Sequence, residues 1–142
     1  MLIGQYESKI GEKHQAGLPK KIRDILGEKL IITKGFENCL LIVSEDNWKI
    51  LLEGTEGKPF TNKSTRELQR FLLGNASYIE LDQKGRFVIP EYLRAFAHID
   101  SEVIFLGIQR FVELWDKKSW EEHQQELAKN IESIADKLNE QE

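Results

Sequence analysis

The chain has one cysteine, one methionine and three prolines in 142 residues. A single thiol rules out an internal disulfide framework and suits a reducing compartment such as the cytoplasm. Cys39 lies in the run Cys39-Leu40-Leu41-Ile42-Val43, which reads as a buried strand with a structural thiol. No apolar stretch reaches the roughly 18 residues that a membrane-spanning helix requires. The first residues lack a charged segment followed by a long apolar one, so no signal peptide is expected. Histidine is scarce too. His14, His98 and His123 fall on separate segments without metal-ligand spacing. No P-loop and no Gly-x-Gly-x-x-Gly is present. The chain is therefore expected to be no enzyme and to carry neither metal nor other cofactor.

An excess of positive charge is also missing. The net charge is −4, and residues 116–142 hold eight acids against four lysines, which leaves residues 1–115 neutral. Within that neutral body, Lys9, Lys13, Lys20, Lys21 and Arg23 face only Glu7 and Glu12 nearby. Charge alone favours a solvated face; the sharper reading is a locally basic loop.

What the chain does contain is the stretch from Leu81 to Arg94. It starts with a polar turn in which Asp82 can bond the backbone N–H groups ahead of it and Gly85 tolerates positive φ. Phe87-Val88-Ile89 reads as a short buried strand. Pro90 suits the first position of a helix whose apolar face is Tyr92, Leu93 and Phe96. Lys84 and Arg86 flank the turn and should face solvent.

A worn copy lies earlier. At a shift of 71, Leu81 falls on Ile10, Lys84 on Lys13, Ile89 on Leu18, Pro90 on Pro19, Leu93 on Ile22 and Arg94 on Arg23. At a shift of 72, Gly35 matches Gly107, Leu40 matches Val112 and Trp48 matches Trp120. The order of these matches implies an internal duplication.

Local signals give each copy the same elements. Residues 2–10 read as a strand, 11–17 as a loop, Pro19 to Leu26 as a helix stopped by Gly27. Lys29 to Lys34 and Cys39 to Val43 read as a hairpin, and Ser44 as the cap of a helix. Glu53 to Phe60 reads as a linker, and Asn62 or Thr61 as the cap of a helix through Leu73. The second copy repeats the series, with strands at Ala76 to Leu81, Glu102 to Leu106 and Phe111 to Trp115. Asp116 caps a last helix with Trp120, Leu127, Ile131, Ile134 and Leu138 at heptad-like steps. Packing on the body is the plain reading of that stripe; a contact to a neighbouring subunit is the alternative.

So few strands cannot bury two faces in either copy. The expected fold class is α+β: one β-rich pseudo-twofold domain made of two tandem β-loop-β-α-β-β-α modules plus a C-terminal helix. The divisions are a first module at 1–53, linker and connecting helix at 54–75, second module at 76–120 and an acidic helical tail at 121–142. The two loops should lie on related ends of the domain.

Asp82-Gln83-Lys84-Gly85-Arg86 followed by Pro90 and Arg94 resembles the mark of the MraZ family of bacterial transcriptional regulators. Leu2 to Tyr6, Thr33 to Leu40, Phe71 to Ala76 and Val112 to Trp115 are similar to other family stretches, and the likeness covers essentially residues 1–120. The resemblance implies two AbrB-like swapped-hairpin modules, also described as a double-split β-α-β. It implies double-stranded DNA as partner, at direct repeats upstream of a cell-division and cell-wall gene cluster, and a cytoplasmic, nucleoid-associated location. It also implies a homo-oligomeric ring, octamer-like. Carried onto this chain, the DNA-binding residues are Lys84 and Arg86 in the second loop, Lys13, His14 and Gln15 in the first, with Lys20 and Lys21 behind it. Asp82, Gly85, Pro90 and Pro19 shape the loops. The first loop departs from the pattern, with Gly11 for aspartate, His14 for glycine and Gln15 for arginine. That removes a bidentate donor, although Gln15 can pair with an adenine edge and Lys13 keeps a charge. The rival expectation is an antitoxin-like or scaffolding module on the same fold without DNA binding.

Overall fold

The computed structural model describes residues 1–53 and 61–140, so most of the expected linker lies outside the described residues. Strand β1 spans Leu2–Lys9, β2 Gln15–Gly17, β3 Leu30–Lys34 and β4 Leu40–Ser44. Helix α1 spans Lys20–Leu26, α2 Glu45–Leu52 and α3 Lys63–Leu72. The second half continues with β5 at Ser77–Ile79, β6 at Arg86–Val88, α4 at Glu91–Phe96, β7 at Glu102–Gln109, β8 at Phe111–Asp116 and α5 at Lys117–Glu140. The mixture of helices and antiparallel strands is the α+β class.

Local chemistry sets the boundaries. The Ser44 hydroxyl accepts from Asn47 N–H, and the Asn62 side chain accepts from Thr65 N–H. Asp116 accepts from Ser119 N–H at the head of α5 and from Asp100 N–H, tying that helix to the preceding loop. Pro19 and Pro90 stand one residue before the first helical position, with ψ of 138° and 144°, so each is the cap rather than the first turn. Their carbonyls accept the first helical bonds, from Arg23 and Arg94. Gly27 closes α1 at φ 84°, a conformation open to glycine without strain.

The strands of the two copies interleave. One antiparallel sheet runs β1-β7-β8-β4-β3-β5, and β2 pairs with β6 in a separate short ladder. Thus β1 completes the second copy's hairpin while β5 completes the first copy's. In the ladder, Ala16 pairs with Phe87, and the flanking pairs Gln15–Val88 and Gly17–Arg86 exchange under the shift of 71. At the sheet centre Leu41 pairs with Glu113, and Leu40–Leu114 and Ile42–Val112 exchange under the shift of 72. A pseudo-twofold axis therefore passes through both pairs.

One sequence match does not survive the register. Ser8–Val103 becomes Ile79–Leu30 only if β3 maps onto β7 by 73, because 103 − 73 = 30. Gly107 then falls on Lys34 rather than Gly35. Between matched positions, four residues separate Gly107 from Val112 where five separate Lys34 from Leu40, which restores 72 in β4 and β8. The two glycines also serve different neighbours. A Cβ on Gly35 would meet Cys39 Sγ at 2.9 Å, and one on Gly107 would meet Ile3 N at 2.7 Å.

One face of the sheet carries the main core. Ile22 of α1, Leu93 of α4, Ala16 and Phe87 of the ladder, and Leu18 and Ile89 just after it pack on Leu30, Ile32, Leu40, Ile42, Val103, Phe105, Val112 and Leu114. Full burial of each large apolar side chain contributes about 1.5–3 kcal/mol. The expected buried strand at residues 87–89 alternates instead: Phe87 and Ile89 are buried, while Val88 is 53% exposed because the ladder covers the core with only one side. The opposite sheet face carries Trp48 of α2 and Trp120 of α5 in two smaller clusters. In α5 the expected packing on the body holds for Trp120 and Leu127. Ile131, Ile134 and Leu138 stay exposed because the helix runs past the sheet.

The approach of β1 to β7 generates a stability prediction. Gly107 pairs with Gly4, and its absent Cβ leaves room for the Leu2–Ile3 backbone. Gly107→Val should push β1 off the sheet and cost about 1–3 kcal/mol. A urea unfolding midpoint equal to that of the wild type would show that the strand adapts.

Candidate nucleic-acid interface

The second loop is built around one carboxylate. Asp82 Oδ1 accepts from Lys84 N–H at 2.9 Å and from Arg86 N–H at 2.8 Å. Asp82 Oδ2 accepts from Arg86 Nε at 2.9 Å, a charge-assisted bond. Arg86 N–H, then its guanidinium, then Lys84 N–H hold the Asp82 carboxyl below its ordinary value. Backbone bonds from Gly85 N–H to Asp82 O and from Asp82 N–H to Arg86 O close the turn, with Gly85 at φ 77°. Arg86 is thereby held at the rim through Nε, leaving Nη1 and Nη2 without a hydrogen bond among the described residues.

The first copy braces this loop. A Cβ on Gly85 would lie 2.5 Å from Arg23 Cζ, so the Arg23 guanidinium fills the space that a side chain would need. Arg23 Nε donates to Leu18 O, and its counterpart Arg94 donates from Nη1 to Ile89 O. The same exchange appears in the backbone, where Leu18 N–H donates to Gly85 O and Ile89 N–H to His14 O. Arg23 and Arg94 were visible as a repeated pair, but the role of Arg23 beside Gly85 was not, because it acts across the copies.

The first loop keeps the turn with different residues. Gly11 N–H donates to Gln15 O, as Asp82 N–H does to Arg86 O. His14 takes Gly85's place and its left-handed conformation at φ 59°, with Lys13 beside it at φ 58°. Non-glycine residues there carry strain. Gly11 and Gln15 remove both halves of the Asp82–Arg86 pair together, so neither charge is left without its partner.

The ladder places the loops on related ends, as expected: each enters the short ladder from the opposite end, and the pseudo-twofold axis exchanges them. Because Gly17 pairs with Arg86, the Arg86 side chain nevertheless reaches the groove beside the first loop. Lys13, Gln15 and Arg86 line one shallow groove, which also holds Lys9, Gly11 and Glu12. Lys9 was counted among the nearby cations but not placed in a site; its position is a matter of the groove. His14, Lys20, Lys21 and Lys84 are exposed and lie outside this groove's lining. The opposite flank is acidic, with Asp24, Glu28, Glu80 and Asp82 lining a cleft beside Arg23. Glu80 stands where Lys9 does, since 80 − 9 = 71.

Cys39 is buried, and its Sγ donates to Phe36 O at 3.2 Å. Burial, and then the Glu113 carboxylate, push its pKa far up, so the thiol stays protonated and unreactive. Among the described residues no three His, Cys, Asp or Glu side chains gather to hold a metal, and no helix is long and apolar enough to cross a membrane.

Residues 1–71 and 72–140 each match the family described as "MraZ protein, putative antitoxin-like". The chain is 42% identical over 139 residues to a protein of Caldanaerobacter subterraneus subsp. tengcongensis, covering 98% of this chain and 97% of that one. It is 38% identical over 138 residues to one of Acetivibrio thermocellus, covering 97% and 96%. It is 37% identical over 139 residues to one of Clostridium beijerinckii, covering 98% and 97%. All three relatives bear the name Transcriptional regulator MraZ.

Asp82's bonds generate a pH prediction. Its folded pKa is depressed, so its contribution is complete above the ordinary aspartate value of about 3.9 and fades as pH falls through the lower folded value. Asp82→Ala should speed amide exchange at Lys84 and Arg86 by about three- to ten-fold. The wild type should keep that protection to a pH below 3.9, about where free aspartate protonates. Equal exchange rates in both proteins would remove Asp82 as the organiser of the loop.

Proposed function

This chain belongs to the MraZ family, and on that premise we propose that it is a transcriptional regulator that binds double-stranded DNA through its paired loops. The observation that carries the reading is the Arg86 guanidinium, fixed by Asp82 at the rim of the groove that also holds Lys13 and Gln15. A fixed guanidinium fork suits a guanine edge or a phosphate, and a glutamine suits an adenine edge. Lys84, His14, Lys20 and Lys21 contribute from the surrounding exposed surface. Asp82, Gly85, Pro19 and Pro90 shape the loops.

One protomer offers few cations for a polyanion. Several protomers in a homo-oligomeric ring would present the loops repeatedly, and direct repeats in DNA would engage them with avidity. We place the operator in the chain's own upstream region, before a cell-division and cell-wall gene cluster, and the protein on the nucleoid.

Two substitutions test the site. Arg86→Ala should weaken binding to the upstream DNA by about 1–3 kcal/mol per contact without unfolding the protein. An unchanged affinity would take Arg86 out of the interface. Gln15→Arg should raise affinity and steepen the dependence of log K on log salt by about one phosphate contact per protomer. Titrations at two salt concentrations read both quantities; identical slopes and affinities would mean that the first loop does not face DNA. Wild-type protein that binds no duplex at low salt would favour the antitoxin-like or scaffolding reading.

A further inference from the structure

We propose that the distal half of α5 docks in the apolar pocket beside Trp48 on a second copy of this chain, joining protomers head to tail. The proposal rests on the homo-oligomer reading above and names the surfaces that meet.

The pseudo-twofold axis relates the two clusters on the outer sheet face. Ile31 corresponds to Ile104 (31 + 73), Val43 to Trp115 (43 + 72) and Trp48 to Trp120 (48 + 72). In the second copy α5 continues past Trp120 and seals the cluster. His123 stacks on Trp115 with ring centroids 4.9 Å apart, and Leu127 packs against the group. In the first copy the matching helix α2 has 8 residues, against 24 in α5. A pocket of about 210 Å³ remains there, lined by Ile31, Trp48, Leu73, Ala76, Ser77 and Tyr78. Leu73 and Tyr78 at its mouth are 41% and 70% exposed.

The occupant is suggested by α5 itself. Its 24 residues extend about 36 Å. Past Leu127, Ile131, Ile134 and Leu138 share one face at steps of three and four, and are 53%, 38% and 63% exposed. A short amphipathic stripe of this kind fits an apolar groove. Charge supports the pairing. Residues 121–140 hold six acids against two lysines. Helix α3, whose C-cap Leu73 lines the pocket, holds Lys63, Arg66 and Arg70 against Glu67, while α2, which supplies Trp48, holds Glu45 and Asp46 against Lys49, so the two helices together are net positive by one. The tail and the pocket belong to opposite sides of the pseudo-twofold axis. When the second protomer passes its own tail to a third rather than back to the first, the contact is heterologous, and it closes into a ring when the rotation between protomers permits.

Disulfide trapping in the full chain tests this. Ile134→Cys protein is mixed with Tyr78→Cys protein under mild oxidation, and Leu138→Cys with Leu73→Cys as a second pair. Buried Cys39 keeps the wild-type control silent. A cross-link is expected in at least one mixture and in none of the single variants. Ile134→Glu should keep the wild-type circular dichroism melt. By light scattering, it should raise the concentration at which monomer appears by about tenfold or more. If Ile134→Cys or Leu138→Cys links to itself, or neither mixture links while the wild type stays oligomeric, the docking is overturned and the oligomer reading stands. An unchanged oligomer in Ile134→Glu overturns it equally. A wild type that is monomeric at every micromolar concentration overturns the oligomer reading as well.

Discussion

The exchange of edge strands is the constraint on which the rest of the molecule depends. β1 hydrogen-bonds along its whole length to β7, and β5 pairs with β3. Each copy therefore finishes its sheet with a strand supplied by the other. The core repeats the dependence, because Ala16 of the first copy faces Phe87 of the second inside one apolar cluster. Backbone groups in such strands must be paired when buried, so neither half closes its own hydrogen bonding. Folding then couples residues from 45 (Ile32 and Ser77) to 107 (Leu2 and Gln109) positions apart.

The same exchange decides what the loops can do. Arg23 props Gly85, and the main chain at Leu18 and Ile89 is held by the opposite loop. A loop on such a scaffold keeps its shape even when its own residues change. That accounts for the first loop, where Lys13 and His14 hold left-handed conformations in a turn that glycine would take more readily. It also accounts for the groove, to which Arg86 comes from the second copy and Lys9 and Lys13 from the first. The duplication is thus symmetric in backbone and unequal in charge. One flank of the ladder carries lysines, and the other carries Glu80, Asp82 and Asp24.

Much of this was legible in the sequence where the signal is local. Ser44, Asn62 and Asp116 cap their helices because a short polar side chain before a helix has few other partners. Asp82 and Gly85 announced the turn for the same reason. The misreading of Gly35 and Gly107 has an equally plain cause. Both stand near a hairpin, yet one residue fewer between matched positions moves β7 relative to β8, and strand residues carry no marker of register. The exposed stripe of α5 was visible as a pattern, but periodicity does not say where the body ends.

Composition and order determined that this chain is a duplicated α+β molecule with two related turns and one buried structural thiol. Those facts follow from residues within a few positions of each other and from repeats that a shift reveals. Tertiary structure decided the rest. It set the two turns at opposite ends of one short ladder and brought Arg86 against Gly17 of the other copy. It converted Arg23 from a surface cation into the brace of another copy's glycine. It also left one of two equivalent outer clusters open, because α2 is short where α5 is long. Each of these depends on which distant strands share a sheet, and that is settled by burying both copies' apolar faces at once.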